Sequence, residues 1–140
     1  FDSYESYRNY WRPLPAFVKG WTPVLEEYVD YDLRGTPPEM HSSVNPKAVE
    51  EDSVDLFRSD FINEALENLS DEILMLRAER GLQNENVPLY PIEPLTEALK
   101  RFPKVKLITV SDTNHYDILL DQSGADTCAE IIYGVGGSST

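Results

Sequence analysis

Two side chains in this sequence have the type and the placement to move a proton. His115 lies in Ser111-Asp112-Thr113-Asn114-His115-Tyr116, just after an apolar segment at 104–110. Glu79 lies in Arg77-Ala78-Glu79-Arg80-Gly81, just after another at 73–76. Imidazole is the side chain whose ordinary pKa falls near neutrality. A carboxylate that holds one ring nitrogen leaves the other to act as a general base. The same residues admit plainer roles: His115 as a cap of the helix that follows, Glu79 as a surface ion pair with Arg77 or Arg80.

Positioning them falls to the segments on either side. Ile73-Leu74-Met75-Leu76 is a continuous apolar run between Ser70-Asp71 and Gly81. That is the pattern of a strand buried on both faces. Residues 82–91 read as a polar loop. Pro94 opens a predicted helix with Leu95, Ala98, Leu99 and Phe102 on one face, and Pro103 stops it. Lys100 and Arg101 fall in its last turn, where the helix dipole favours cations. Residues 104–110, rich in β-branched side chains, form a second strand. Ala125, Cys128, Ala129 and Ile132 mark a final helix ended by Gly134. Strand, helix, strand, helix implies a parallel βαβ unit with a right-handed crossover. Both strands then point the same way. The loops carrying Glu79 and His115 leave at the carboxyl edge, where open α/β sheets hold their ligands.

Residues 1–69 read as helical and aromatic. Tyr4, Tyr7 and Trp11 share one helix face, and Pro13 and Pro15 end that helix. Thr22-Pro23 starts a second helix with Val24, Leu25, Tyr28 and Val29 as its apolar stripe, closed by the turn Gly35-Thr36-Pro37-Pro38. Asn45-Pro46 repeats the signal. The helix after it turns Val49, Ser53, Leu56 and Phe57 inward and Glu50, Glu51, Asp52 and Asp55 outward. Asp60 caps a short helix with Ile62, Ala65, Leu66 and Leu69 on one face. His41 falls in a Pro- and Ser-rich loop and reads as surface. Tyr4, Tyr7, Tyr10, Trp11, Trp21, Tyr28 and Tyr31 are the candidates to line an apolar substrate pocket, with Tyr7, Trp11 and Trp21 put first; packing between helices is the competing role for each.

Composition narrows the field. The chain has 140 residues, with Asp+Glu 25 against Lys+Arg 12 and a formal net charge of -13. Such a balance argues against nucleic acid or an anionic membrane as partner. With 41% apolar and 26% charged residues, this is globular composition. No apolar run reaches the roughly 20 residues of a membrane helix, and no signal peptide is visible. Cys128 is the single cysteine, so no intrachain disulfide forms; a reducing, cytoplasmic setting is the expectation. No Cys/His cluster has zinc spacing and no calcium loop occurs.

Taken in order, Ile73–Gly81, the strand Val105–Val110 and Thr113-Asn114-His115-Tyr116 before the last helix resemble the carboxyl-terminal half of an α/β-hydrolase. The resemblance implies a helical cap at 1–69, followed at 70–140 by the last two parallel strands and helices of the core. In that family the chain order is nucleophile, acid, histidine. The resemblance makes His115 the triad base and leaves the acid either to an earlier strand that this chain does not include or to Glu79. Many members place an aspartate two residues further on, where this chain has Gly81; Glu85 is a second candidate, and Asp112 is too near His115 in sequence. The nucleophile, on a Gly-x-Ser-x-Gly elbow or an aspartate at that turn, does not occur here. Because the chain begins at Phe1 rather than Met, the elbow is expected upstream. The implied activity, which needs no cofactor, is hydrolysis of a small or medium apolar ester, lactone or amide. An epoxide hydrolase or haloalkane dehalogenase with an aspartate nucleophile is the alternative. A non-catalytic acidic interaction module is the reading from another class. Expected partners are a small-molecule substrate and the missing amino-terminal half, with self-association left open. Two apolar parallel strands alone leave open edges, so the 140 residues are expected to be marginally stable.

Overall fold

The computed structural model describes residues 1–57 and 60–136. Local signals begin most elements. The Ser3 hydroxyl accepts the Ser6 N–H at 3.1 Å and the Ser6 hydroxyl accepts the Ser3 N–H at 3.2 Å, a reciprocal cap that opens α1, Tyr4–Trp11. A short 3₁₀ turn follows at Pro15–Phe17. The Thr22 hydroxyl accepts the Leu25 N–H at 3.1 Å, and Pro23 supplies a helix-ready φ at the first position of α2, Pro23–Asp32.

The turn read at Gly35–Pro38 is the tip of a hairpin. β1, Leu33–Thr36, pairs antiparallel with β2, Glu39–Ser42. Only Leu33 and Met40 of these eight positions are buried, so no apolar alternation announces the strands. Gly35 has a φ of +97°, and a Cβ there would meet the Glu39 carbonyl oxygen at 2.5 Å, so this turn requires glycine. His41, read as a loop residue, is on β2, exposed as expected.

Tyr7, Val29, Leu33 and Met40 form one buried cluster; Ala16, Phe17 and Leu25 form a second, and Trp11 and Trp21 pack against both. Val24 and Tyr28, expected on the inner stripe of α2, are exposed. Charge fastens α1 to α2: Arg8 grips the Asp30 carboxylate with two N–H groups and reaches Glu26 at 3.1 Å.

α3, Pro46–Phe57, and α4, Asp60–Glu67, begin at the predicted places. Their apolar faces differ from expectation. Val49 and Ser53 are exposed, as are Ile62 and Ala65, while Leu66 and Leu69 are half-buried. Only the Leu66 and Leu69 end of this stripe is covered, near Arg101 and Lys104. Glu50, Glu51 and Asp52 face solvent as expected; the side chains of Asp55, Leu56 and Phe57 lie outside the described set.

β3, Ile73–Ala78, and β4, Val105–Val110, form a parallel pair in register from Ile73 opposite Val105 to Ala78 opposite Val110. Between them runs α5, Ile92–Leu99, which starts two residues before Pro94. The parallel crossover inferred from the sequence is present, in a mixed α/β chain with a second, antiparallel pair. The expectation of strands buried on both faces is corrected. Leu74, Met75 and Leu76 are half-buried, Ile73 is exposed, and the buried residue of β3 is Arg77. A gap of about 430 Å³ separates α5 from β4, bounded by Ile92, Leu99, Val105 and Leu107. The last helix divides into α6, Asp117–Leu120, and α7, Gln122–Gly136, which runs past Gly134.

Candidate functional site at the carboxyl edge of the parallel strands

The loop after β4 is fixed at almost every residue. The Thr113 hydroxyl donates to the Val110 carbonyl at 2.7 Å, and the Thr113 carbonyl accepts the Arg80 N–H at 2.9 Å. Asp112 sits in the left-handed region, with φ of +55°, which Asp tolerates better than most residues. Its N–H donates to Glu79 Oε2 at 2.7 Å. Asn114, 0% exposed, does the most. Its Nδ2 donates to the Ala16 carbonyl at 2.7 Å, and its Oδ1 accepts the N–H groups of Tyr116 and Asp117 at 2.8 and 2.9 Å. One amide thereby caps the first turn of α6 and ties the loop to the 3₁₀ turn.

The cap role expected as the plainer reading of His115 belongs to Asn114. His115 follows it, exposed, with its ring edge-on to Tyr116 at 5.7 Å. No other described residue makes a hydrogen bond to that ring. Tyr116 is half-buried among Phe17, Trp11 and Tyr28, with ring centroids at 5.2, 6.4 and 6.4 Å. This aromatic contact joins residues 1–31 to the β4 loop. Burial raises the pKa of the Tyr116 phenol, and neighbouring Tyr28 adds to the rise.

His115 lines a cavity of about 420 Å³, together with Tyr28, Leu89, Tyr90, Leu119 and Cys128. That volume suits a small organic molecule. Cys128 is buried and its thiol donates to the Ile118 carbonyl at 3.4 Å. Burial pushes the thiol pKa up, away from the thiolate a nucleophile needs.

The other sequence candidates stand elsewhere. Glu79 holds the Asp112 amide and pairs with neither Arg77 nor Arg80; no bond joins it to His115. It braces the loop three residues upstream of the imidazole. Glu85 accepts the Gln83 N–H at 2.7 Å, and its Oε2 lies 2.3 Å from where a Cβ on Gly81 would be. Glu85 therefore occupies the space that a side chain at position 81 would fill.

Tyr7, Trp11 and Trp21 do not line the His115 cavity. Tyr7 is in the core, its phenol bonded to Asp32; burial and that carboxylate together push its pKa up to about 12. Burial opposes ionisation of Asp32, yet the hydroxyls of Tyr7, Ser42 and Ser43 outweigh it and hold the carboxyl below its usual range. Trp11 packs between the two clusters, and Trp21 donates to Glu26 Oε2 at 2.9 Å. The tyrosines at the cavity are Tyr28, Tyr90 and Tyr116. Tyr28 is one of the aromatic residues that the sequence offers for an apolar pocket, although its place on the inner stripe of α2 is not borne out.

Nothing in the sequence sets Asp117 apart. It is buried beside Lys19 Nζ at 3.8 Å, with Oδ2 lacking a hydrogen bond. Burial raises its pKa, and Lys19 only partly opposes that. Among the described residues, no group of three His, Cys, Asp or Glu side chains is placed to hold a metal ion, and no helix is long and apolar enough to cross a membrane. No family model, curated protein or solved structure matches the chain.

Proposed function

We propose that this chain is the cap- and histidine-bearing part of an α/β-hydrolase acting on a small or medium apolar ester, lactone or amide. The observation that supports this most is the position of His115. It follows the carboxyl end of a strand in a parallel pair, on a loop held by Asn114, Thr113 and Glu79, and it lines an apolar cavity with no hydrogen bond to its ring among the described residues.

In this reading a serine hydroxyl, on polypeptide outside residues 1–140, gives its proton to His115 as its oxygen attacks the substrate carbonyl. His115 returns that proton to the leaving oxygen or nitrogen as the tetrahedral species collapses to an acyl-enzyme. Water then repeats the exchange and frees the acid. Glu79 serves by holding the Asp112 amide, and so the loop, in place. The sheet supports the same reading: β3 and β4 pair only with each other among the described residues, so each has an edge on which further strands can add.

The test is hydrolysis of p-nitrophenyl butyrate by the whole encoded polypeptide. His115→Ala is expected to lower kcat about 10³-fold, with an unchanged melting temperature because the ring supports no buried contact. Activity surviving that substitution overturns the reading.

A further inference from the structure

The walls of the His115 cavity invert the charge of the molecule. The chain carries 25 acidic side chains and 12 basic ones. Arg8, Arg12, Lys19, Lys47, Lys100, Arg101 and Lys106 each reach a carboxylate. Of the described cationic side chains that reach no carboxylate, Arg34 and Lys104 are exposed and bond main-chain carbonyls away from the cavity, whereas Arg77 and Arg80 both line it. Among the described residues, no Asp or Glu lines the cavity.

Arg77 is 8% exposed. Its guanidinium is satisfied only by neutral acceptors, the Thr109 hydroxyl at 3.0 and 3.2 Å and the Tyr90 carbonyl at 2.8 Å. Three of its five N–H groups are named by these bonds, and the charge itself is unmatched. A buried cation without a counter-ion is unfavourable unless something else neutralises it. Arg80 is half-buried, and its side chain has no bonded partner among the described residues. Acidic residues outnumber basic ones about two to one over the whole chain, so two guanidinium groups without a carboxylate at one apolar cavity suit an anion from outside. Tyr28, Leu89, Tyr90 and Leu119 supply the apolar remainder.

We infer that this cavity binds an apolar organic carboxylate, its carboxylate at Arg77 and Arg80 and its hydrocarbon against the tyrosines and leucines. Guanidinium matches a carboxylate with two parallel N–H bonds, which an ammonium does not. Only the consequence for catalysis rests on the hydrolase reading: the substrate would then be an ester with an acidic group at its far end. Binding itself requires no hydrolysis.

The experiment compares 4-phenylbutyrate with neutral 4-phenylbutyramide by calorimetric titration at pH 7 against the whole protein. The carboxylate is expected to bind at least about 10-fold more tightly. Arg80→Gln should reduce that preference to within about two-fold, Arg80→Lys should keep part of it, and Lys47→Gln, at an exposed cation of α3 that does not line the cavity, should leave it intact. Arg80 is the residue to change because no side-chain bond depends on it, whereas Arg77→Gln would break the contacts to Thr109 and Tyr90. Equal affinity for the two compounds, absence of binding by both, or a preference that survives Arg80→Gln would overturn the inference. Loss of esterase activity in His115→Ala, measured separately, bears on the hydrolase reading alone.

Discussion

In residues 1–42, buried groups find one another. Leu33 and Met40 close on Tyr7 and Val29, Arg8 is clasped by Asp30 and Glu26, and the Tyr7 phenol meets Asp32. In residues 73–136 the strands are half-covered, a gap stands between α5 and β4, and two guanidinium groups line a cavity without counter-ions. The contrast separates two tasks. The first region carries the packing that holds the fold; the second leaves the space and the unspent polar groups that binding requires. The link is narrow: the Asn114 amide on the Ala16 carbonyl, Tyr116 among Phe17 and Trp11, and Lys19 between Asp112 and Asp117.

The contrast can be broken most directly in the cores. Leu33→Ala is expected to cost about 3 kcal/mol, the usual range for a buried leucine, whereas Leu74→Ala on half-buried β3 should cost about 1 kcal/mol. Urea denaturation of both variants checks this; equal losses would show that the parallel strands are as well packed as the amino-terminal cluster. Next comes the link. Asn114→Ala leaves the Ala16 carbonyl and two N–H groups unbonded, an expected loss of about 2 kcal/mol. Hydrogen exchange should show faster opening of the 113–117 amides than of α2. Uniform loosening of the whole chain would mean that the two regions do not separate there.

The smallest effect concerns Asp117. A carboxyl with a raised folded-state pKa favours the fold most when protonated. Its contribution is therefore full below its unfolded pKa, near 3.8, and is lost as pH rises through the folded value. Asp117→Asn should accordingly raise the melting temperature at pH 7 by about one to three degrees, and change it little near pH 3.5. Destabilisation at pH 7 would instead show that the Lys19 contact outweighs burial.

What could be read from the sequence was local or topological. Thr22-Pro23 and Asn45-Pro46 mark helix starts because the cap lies within a few residues of the groups it serves. His115 is found at the carboxyl edge because a helical crossover between two strands leaves few arrangements. The hairpin at 33–42 escaped because six of its eight strand residues are not buried. Arg77 in an apolar run gives no sign of being the most buried residue of its strand. Asn114 reads as an ordinary turn residue, since its partner Ala16 is 98 positions away. The apolar stripe of α3 and α4 shows the reverse error: periodicity reveals an amphipathic face, and it says nothing of whether anything covers that face.

Gly81 carries a consequence for how this loop can change over generations. A methyl group there would stand 2.3 Å from Glu85 Oε2 and 2.7 Å from the Val87 carbonyl oxygen. The second obstacle is main chain, so trimming Glu85 alone does not open the position. A carboxylate cannot migrate from 85 to 81 through a series of tolerated single replacements, because the intermediate with any side chain at 81 must first displace the backbone. Variation here is therefore expected to come as insertion or deletion across 81–87, with residue 81 changing together with the length of its loop.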